Sequence, residues 1–189
     1  AIIDCDDINH KDRLKIQVSI IKQSRDIVGV GSYINRVDKN NNFIREEKLP
    51  KTKPDILKWQ LLFRCPIYQP TMLLKKSMVL QAGNYNNLET AQDYDLWFRL
   101  IQLGNIKIID KPLVNYRISD NTVSDKNRYK WSEINKNLYQ KYAKYFFNKS
   151  YNNDLLELWD KLSPQSINFK KTKLNTEIFL NLLVNFSSK

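Results

Sequence analysis

Glycine, histidine and cysteine are scarce in this chain of 189 residues, and each scarcity removes a class of function. The four glycines, Gly29, Gly31, Gly83 and Gly104, form neither GxGxxG nor GxxxxGK[ST], so no glycine-rich phosphate loop is present. One histidine, His10, and two cysteines, Cys5 and Cys65, cannot supply a Cys/His zinc site or a disulfide framework. A serine–histidine hydrolase would have to use His10, which lies in a polar, acidic stretch with no serine elbow near it. Both cysteines read as free thiols, and Cys5 stands between carboxylates, an unpromising setting for a nucleophile. Cys65, before Pro66, reads as a small packing residue. No run approaches ~18 apolar residues, so no segment reads as a membrane span. No basic stretch followed by an apolar one opens the chain, so no signal peptide is expected. The chain starts without Met inside an expected strand, Ala1-Ile2-Ile3, and reads as a piece of a longer protein.

What is present suits a folded domain. Hydrophobic residues make up 42% and aromatics 12%, which supports a core and excludes a disordered polar chain. Lys and Arg number 31 against 20 Asp and Glu, giving +11. Residues 126–189 hold 12 basic and 5 acidic side chains, so +7 of that excess lies in the last third. This points to an anionic partner or to a solvated helical face.

The pattern predicts a mixed α/β region followed by helices. Leu14, Val18 and Ile21 predict a helix over 10–24 with that stripe inward. The β-branched run 27–37 reads as a strand, and 38–53 as a loop or hairpin arm with Asn40-Asn41-Asn42 at its tip. Pro54 opens a helix over 54–64, where its missing N–H costs nothing. A strand over 71–74 and a short helix over 76–82, stopped by Gly83, come next. Thr90 reads as the N-cap of a helix over 91–103 that Gly104 ends, with Leu96, Leu100 and Leu103 as its stripe. Strands are expected over 106–109 and 113–118, and helices near 127–147, 151–161 and 174–185.

Two acidic features carry chemistry. Asp4, Asp6 and Asp7 place three carboxylates within four residues after an apolar segment. Such charges repel, and an oxygen-only cluster at a strand end suits Mg²⁺ or Mn²⁺ with phosphate oxygens completing the shell. The plainer alternative is a polar turn in which Asp6 or Asp7 caps the next helix. Asp93 falls in the first turn of the 91–103 helix, where the helix dipole favours a carboxylate, so it serves either as a capping acid or as a base. Asp95 stands four residues before Arg99 and predicts an ordinary surface ion pair; Trp97 predicts a core residue. Together the cluster and Asp93 suit group transfer from a nucleotide diphosphate donor.

Five ordered segments carry a resemblance. IIDCDDINHKDRLKIQ resembles the strand–DxD–helix segment of family 2 glycosyltransferases of the GT-A fold, and VGVGSYINRVD the strand after it. CPIYQPTMLLKKSMVLQAGNYN resembles the acceptor-side stretch, ETAQDYDLWFRLIQLGNIKII the family's acidic helix, and PLVNYRISDNTVS its Tyr-Arg segment. The resemblance covers about residues 1–125 and implies a partial GT-A domain that lacks its N-terminal nucleotide-binding half, with 126–189 as a basic α-helical tail. It implies an inverting, hexosyltransferase-type enzyme that moves a sugar from a nucleotide-sugar, UDP- or dTDP-linked, to a glycan or lipid-linked acceptor in bacterial cell-surface polysaccharide synthesis. Asp4, Asp6 and Arg117 would then bind the donor, Asp6 and Asp7 a divalent metal, and Asp93 would be the base. Arg117 serves equally well as a buttress of the fold.

The sequence departs from the family at Gln69 and Ser119, where histidines are common, and at Gln92, where glutamate is common. Without the donor half, the chain alone is expected to show little turnover. Over 126–149, seven Lys/Arg face one acid, with Trp131, Ile134, Leu138, Tyr142 and Tyr145 at helical spacing. That pattern predicts a helix packed back on the catalytic half, or a basic interfacial helix at the inner face of the plasma membrane of a cytoplasmic enzyme. Two other readings stay open: an inactive remnant, and a basic module for nucleic acid or a membrane surface. The acidic cluster and the lack of any nucleic-acid motif argue against nucleic acid as a partner.

Overall fold

The computed structural model describes residues 1–48, 54–62, 64–118, 134 and 137–142. The chain divides into two compact units. Most of the described residues up to Ile118 form the first; Leu62, Arg64, Glu89–Ala91, Ile134 and 137–142 belong to the second. In the second unit residues 134 and 137–142 are helical, with Leu138, Tyr139 and Tyr142 buried. The rest of the expected tail helices, and Ser119, lie outside the described residues. Among the described residues no helix is long and apolar enough to cross a membrane.

The first unit is built on a five-stranded mixed sheet. The elements run β1 (Ile8–Asn9), α1 (Arg13–Ile21), β2 (Ile27–Val37), β3 (Phe43–Glu47), α2 (Pro54–Leu61), β4 (Leu73–Leu74), α3 (Lys76–Gln81), α4 (Gln92–Leu100) and β5 (Asn105–Arg117). A 3₁₀ turn, Gln69–Thr71, precedes β4. The strand order is β1-β5-β2-β3, with β4 pairing β2. β2 and β5 are parallel; the other pairs are antiparallel. The first eight residues of β2 are all buried, as a central strand covered on both faces requires. The core comprises β2 (Val28, Val30, Ile34), β5 (Ile106, Leu113, Val114), α2 (Leu57, Leu61) and α4 (Leu96, Trp97, Phe98, Leu100).

Several expectations change. Residues 1–3 form no strand; Ile2 N–H instead donates to Met72 O at 2.9 Å, and the strand of this region is Ile8–Asn9. The two strands expected over 106–118 are one. Ser32 pairs with Ile109 and Tyr33 with Pro112, so the register shifts at residues 110–111 and absorbs the proline, which has no N–H to give. Of the alternatives for 38–53, the hairpin arm is what the described part, 38–48, forms, as β3; 49–53 lie outside the described residues. Helix α4 begins at Gln92, because Ala91 takes a left-handed conformation, φ 58°, and breaks the run from Thr90.

The buried face of α1 is centred on Arg13 and Gln17, while the expected stripe of Leu14, Val18 and Ile21 is exposed at Leu14 and only half-buried at Val18 and Ile21. Leu14 is 52% exposed, whereas Arg13 and Gln17 are 1% and 0% exposed. Hydrogen bonds to distant carbonyls make that burial tolerable, and periodicity carries no trace of them.

Gly104 shows why the chain keeps so few glycines where it does. A Cβ there would lie 2.3 Å from Asp26 O, the carbonyl that accepts the Asn105 N–H at 2.7 Å. Gly104→Ala is therefore expected to destabilise the fold by roughly 1–3 kcal/mol through overpacking. Thermal melting checks this; an unchanged melting temperature would contradict the close approach.

Candidate active site

The acidic loop is held at the C-terminal end of β5. β1 pairs there, Ile8 with Asn115 and Asn9 with Val114, and a turn closes through Asp7 N–H to Asp4 O at 3.2 Å. The backbone N–H of Arg117 donates to Asp7 Oδ1 at 3.0 Å. The other oxygen, Asp7 Oδ2, is buried and accepts no hydrogen bond. Burial, with added repulsion from Asp6 and Asp4, pushes the Asp7 carboxyl up to about 6, although the Arg117 N–H works against the shift. Asp4 is also raised, by burial and then by Asp6.

Arg117 braces this loop. Its Nε donates to Asp6 O at 2.8 Å, and its Nη1 donates to Lys39 O at 2.9 Å. The guanidinium thus joins the acidic loop to the β2–β3 turn, so both roles expected for Arg117 start from a side chain already anchored to backbone.

Asp93 lies in the first turn of α4, half-buried. Burial raises its carboxyl; N–H groups of Tyr94 and Asp93 oppose this, and the charge of Asp4 adds to it. The charge of Asp4 thus reaches Asp93 as the smallest of the influences on its carboxyl. A raised carboxylate is better matched to taking a proton near neutral pH.

Asp95 departs from expectation. It is 1% exposed and pairs with Arg99 at 2.6 Å, a buried ion pair rather than a surface one. Asn86 Nδ2 also donates to Asp95 Oδ2 at 2.6 Å, and Arg99 Nη1 donates to Asn84 O at 2.6 Å. These bonds fix the turn at Gly83 and Asn84, both in left-handed conformations, φ 87° and 62°. The turn presents Tyr85, whose hydroxyl accepts from Gln69 Nε2 at 3.4 Å and whose pKa rises through burial and then through Asp93. Gln92 Nε2 donates to Leu88 O at 2.5 Å, so it ties the loop to α4. Trp97 is fully buried, as expected. Burial and the charge of Asp93 push the Cys65 thiol up, which makes it inert as a nucleophile at neutral pH. His10 is exposed, and its Nδ1 accepts the Asp12 N–H at 3.2 Å.

A second wall was not foreseen from the sequence. The Arg36 guanidinium lies 5.8 Å from the Tyr116 ring centroid and pairs with Glu47 at 2.5 Å. Tyr68 donates to Glu47 and has its ring 6.1 Å from Tyr116. Burial, with the Glu47 hydrogen bond, pushes Tyr68 up to about 12. Tyr116 in turn is raised by burial and by Asp7 and Asp4, which places this wall beside the acidic loop. Its parts come from four separate segments, so no local motif announces it.

Among the described residues, no group of three or more His, Cys, Asp or Glu is gathered to hold a metal ion. Asp7 Oδ2 is nonetheless a buried carboxylate oxygen without a partner, beside a second acid, Asp6, whose charge raises it. Two carboxylates with substrate phosphates and water are the donor set Mg²⁺ ordinarily uses, so these residues fit such an ion. In metal-free buffer the ionised form of Asp7 is a cost. Its folded pKa lies above the ordinary value, so stability is gained as pH falls through about 6 and lost as pH rises through it. Asp7→Asn should therefore raise the melting temperature at pH 7.5 with EDTA, and the gain should shrink at pH 5. A lower melting temperature at pH 7.5 would contradict this.

No family model matches the chain. It is 31% identical over 155 residues to an uncharacterized glycosyltransferase of Methanocaldococcus jannaschii, covering 80% of this chain and 53% of that protein. It is 32% identical over 121 residues to the O-antigen biosynthesis glycosyltransferase WbnJ of Escherichia coli, covering 62% and 46%. The chain thus spans about half the length of the curated relatives it matches. Among solved structures, residues 1–349 of S. aureus TarS in complex with UDP-GlcNAc match with a TM-score of 0.57 at 15% identity, over 97% of this chain and 55% of that one. Its sequence relatives are named glycosyltransferases, and the chain shares its mixed α/β fold with a part of TarS.

Proposed function

We propose that this chain forms the cation- and acceptor-side part of an inverting glycosyltransferase with a GT-A-type site, related to family 2. The observation that carries the reading is the buried, unpartnered Asp7 Oδ2 in the acidic loop; the charge of Asp4 acting on Asp93, which stands in the first turn of α4, supports it. The names of the relatives support sugar transfer, and WbnJ supports a role in cell-surface polysaccharide. The TarS complex supports a UDP-linked donor, with a dTDP-linked donor as the other member of the class. The proposed acceptor is a glycan or lipid-linked hydroxyl, met at the cytoplasmic face of the membrane.

Asp4 and Asp6 would meet the donor's ribose and diphosphate, and Asp6 with Asp7 Oδ2 would hold a divalent cation. When bound, such a cation offsets the charge that gathers on a leaving diphosphate. Asp93, held by the first-turn amides, takes the proton of the acceptor hydroxyl. The freed oxygen pair forms the bond to the anomeric carbon, and the bond from that carbon to the diphosphate oxygen breaks with its electron pair. The configuration inverts because attack and departure occur on opposite faces. Tyr85, bonded to Gln69, senses the charge of Asp93, and Tyr116, beside Tyr68, senses those of Asp7 and Asp4, so both stand by the proposed site.

The test is release of nucleoside diphosphate from a panel of UDP- and dTDP-sugars by the natural protein as its own cells make it. Asp93→Asn should lower release by about 10²–10⁴-fold and leave Mn²⁺-dependent UDP binding within a few-fold of the unsubstituted protein. Equal turnover by Asp93→Asn would remove the base and the reading with it.

A further inference from the structure

A guanidinium that is almost fully out of water is unusual, and in this fold it is bonded only to neutral groups. Arg13 is 1% exposed. Its Nε donates to Gln17 Oε1 at 3.0 Å, and Nη1 donates to Asn9 Oδ1. Nη2 donates to Ile2 O at 2.8 Å and to Met72 O at 3.4 Å. Gln17, fully buried, passes the anchorage inward: its Nε2 donates to Val30 O at 2.8 Å and to Thr71 O at 2.7 Å. An apolar side chain would fill this site without the desolvation cost of a cation.

The partners explain the choice. Ile2 lies just before the acidic loop and Asn9 just after it, so Arg13 grips both ends of the segment holding Asp4, Asp6 and Asp7. Through Gln17 and Met72 O the same group is bolted to β2 and to the strand segment before β4. The charge of Asp7 acts on it, against the larger effect of burial. We propose that Arg13 is a positioning residue, a buried clasp that closes the acidic loop and sets its carboxylates for a divalent cation before any cation arrives. Gln17 is the bolt that holds the clasp to the sheet. The inference rests on the reading of this loop as a cation and diphosphate site.

Two readouts on the natural protein as its own cells make it test the clasp. The first is amide hydrogen exchange. The second is Mn²⁺ affinity in the presence of UDP, read from the loss of the free-ion paramagnetic resonance signal. In Arg13→Met, exchange should quicken at least about tenfold within residues 2–10, while β2, β5 and α4 keep their protection. Mn²⁺ affinity should fall by about 10–100-fold, the usual cost of removing a group that orients metal ligands. Arg13→Lys, which keeps the charge and one or two of the bonds, should recover part of the Mn²⁺ affinity. Exchange that quickens equally across β2 and β5, or unchanged Mn²⁺ affinity in Arg13→Met, would overturn the clasp. If Arg13→Met does not fold, Asn9→Ala decides: it removes one arm from an exposed side chain, and an unaltered Mn²⁺ affinity overturns the proposal. An unsubstituted natural protein that leaves the free Mn²⁺ signal untouched contradicts the proposed function itself. Binding by the unsubstituted chain and equally by Arg13→Met contradicts the clasp alone.

Discussion

Two parallel neighbours in a sheet cannot be joined by a tight turn, and the pairing of β2 with β5 imposes that constraint on this chain. Residues 38–104 must leave the end of β2 and return to the start of β5. On the way they place β3 at one edge, set α2 against β5 and α4, and deliver α4 with Asp93 in its first turn. β5 then runs back beside β2 and carries Tyr116 and Arg117 to the end where the acidic loop docks. Asp93 thus comes from the crossover, and the acidic loop is tied to the strand that the crossover feeds.

The acidic end is held by cations and amides that are spent on backbone rather than on carboxylates. Arg117 braces Asp6 O and the β2–β3 turn, Arg13 grips Ile2 and Asn9, and only the Arg117 N–H reaches an oxygen of Asp7. The loop is thereby rigid and still short of positive charge. This is the state expected of a site that trades stability for readiness to take a cation. The Asp95–Arg99 pair does the corresponding task on the other side, where it fixes the turn that presents Tyr85.

Much of the framework was legible. The β-branched run of β2 and the amphipathic α4 are local signals, and both elements formed near their expected bounds. Asp4, Asp6 and Asp7 stand out because like charges so close repel one another, and Asp93 because a first-turn carboxylate suits either a cap or a base. What stayed hidden depends on long-range partners. Arg13 and Gln17 look like the polar face of α1 until the carbonyls of Ile2, Val30, Thr71 and Met72 are brought to them. Asp95 and Arg99 have the spacing of a surface pair, and only the packing of the 82–86 turn over them makes the pair buried. The wall of Arg36, Glu47, Tyr68 and Tyr116 gathers residues up to 80 positions apart, beyond the reach of any periodicity.

The proposed function turns on the unpartnered oxygen of Asp7 holding a divalent cation shared with a nucleoside diphosphate. Anomalous diffraction from crystals of the natural protein grown with Mn²⁺ and UDP would locate that cation. One manganese peak is expected within coordination distance, about 2.0–2.3 Å, of Asp7 Oδ2, with diphosphate oxygens in the same shell. Manganese bound elsewhere, or UDP bound with Asp7 Oδ2 still unpartnered, would contradict it.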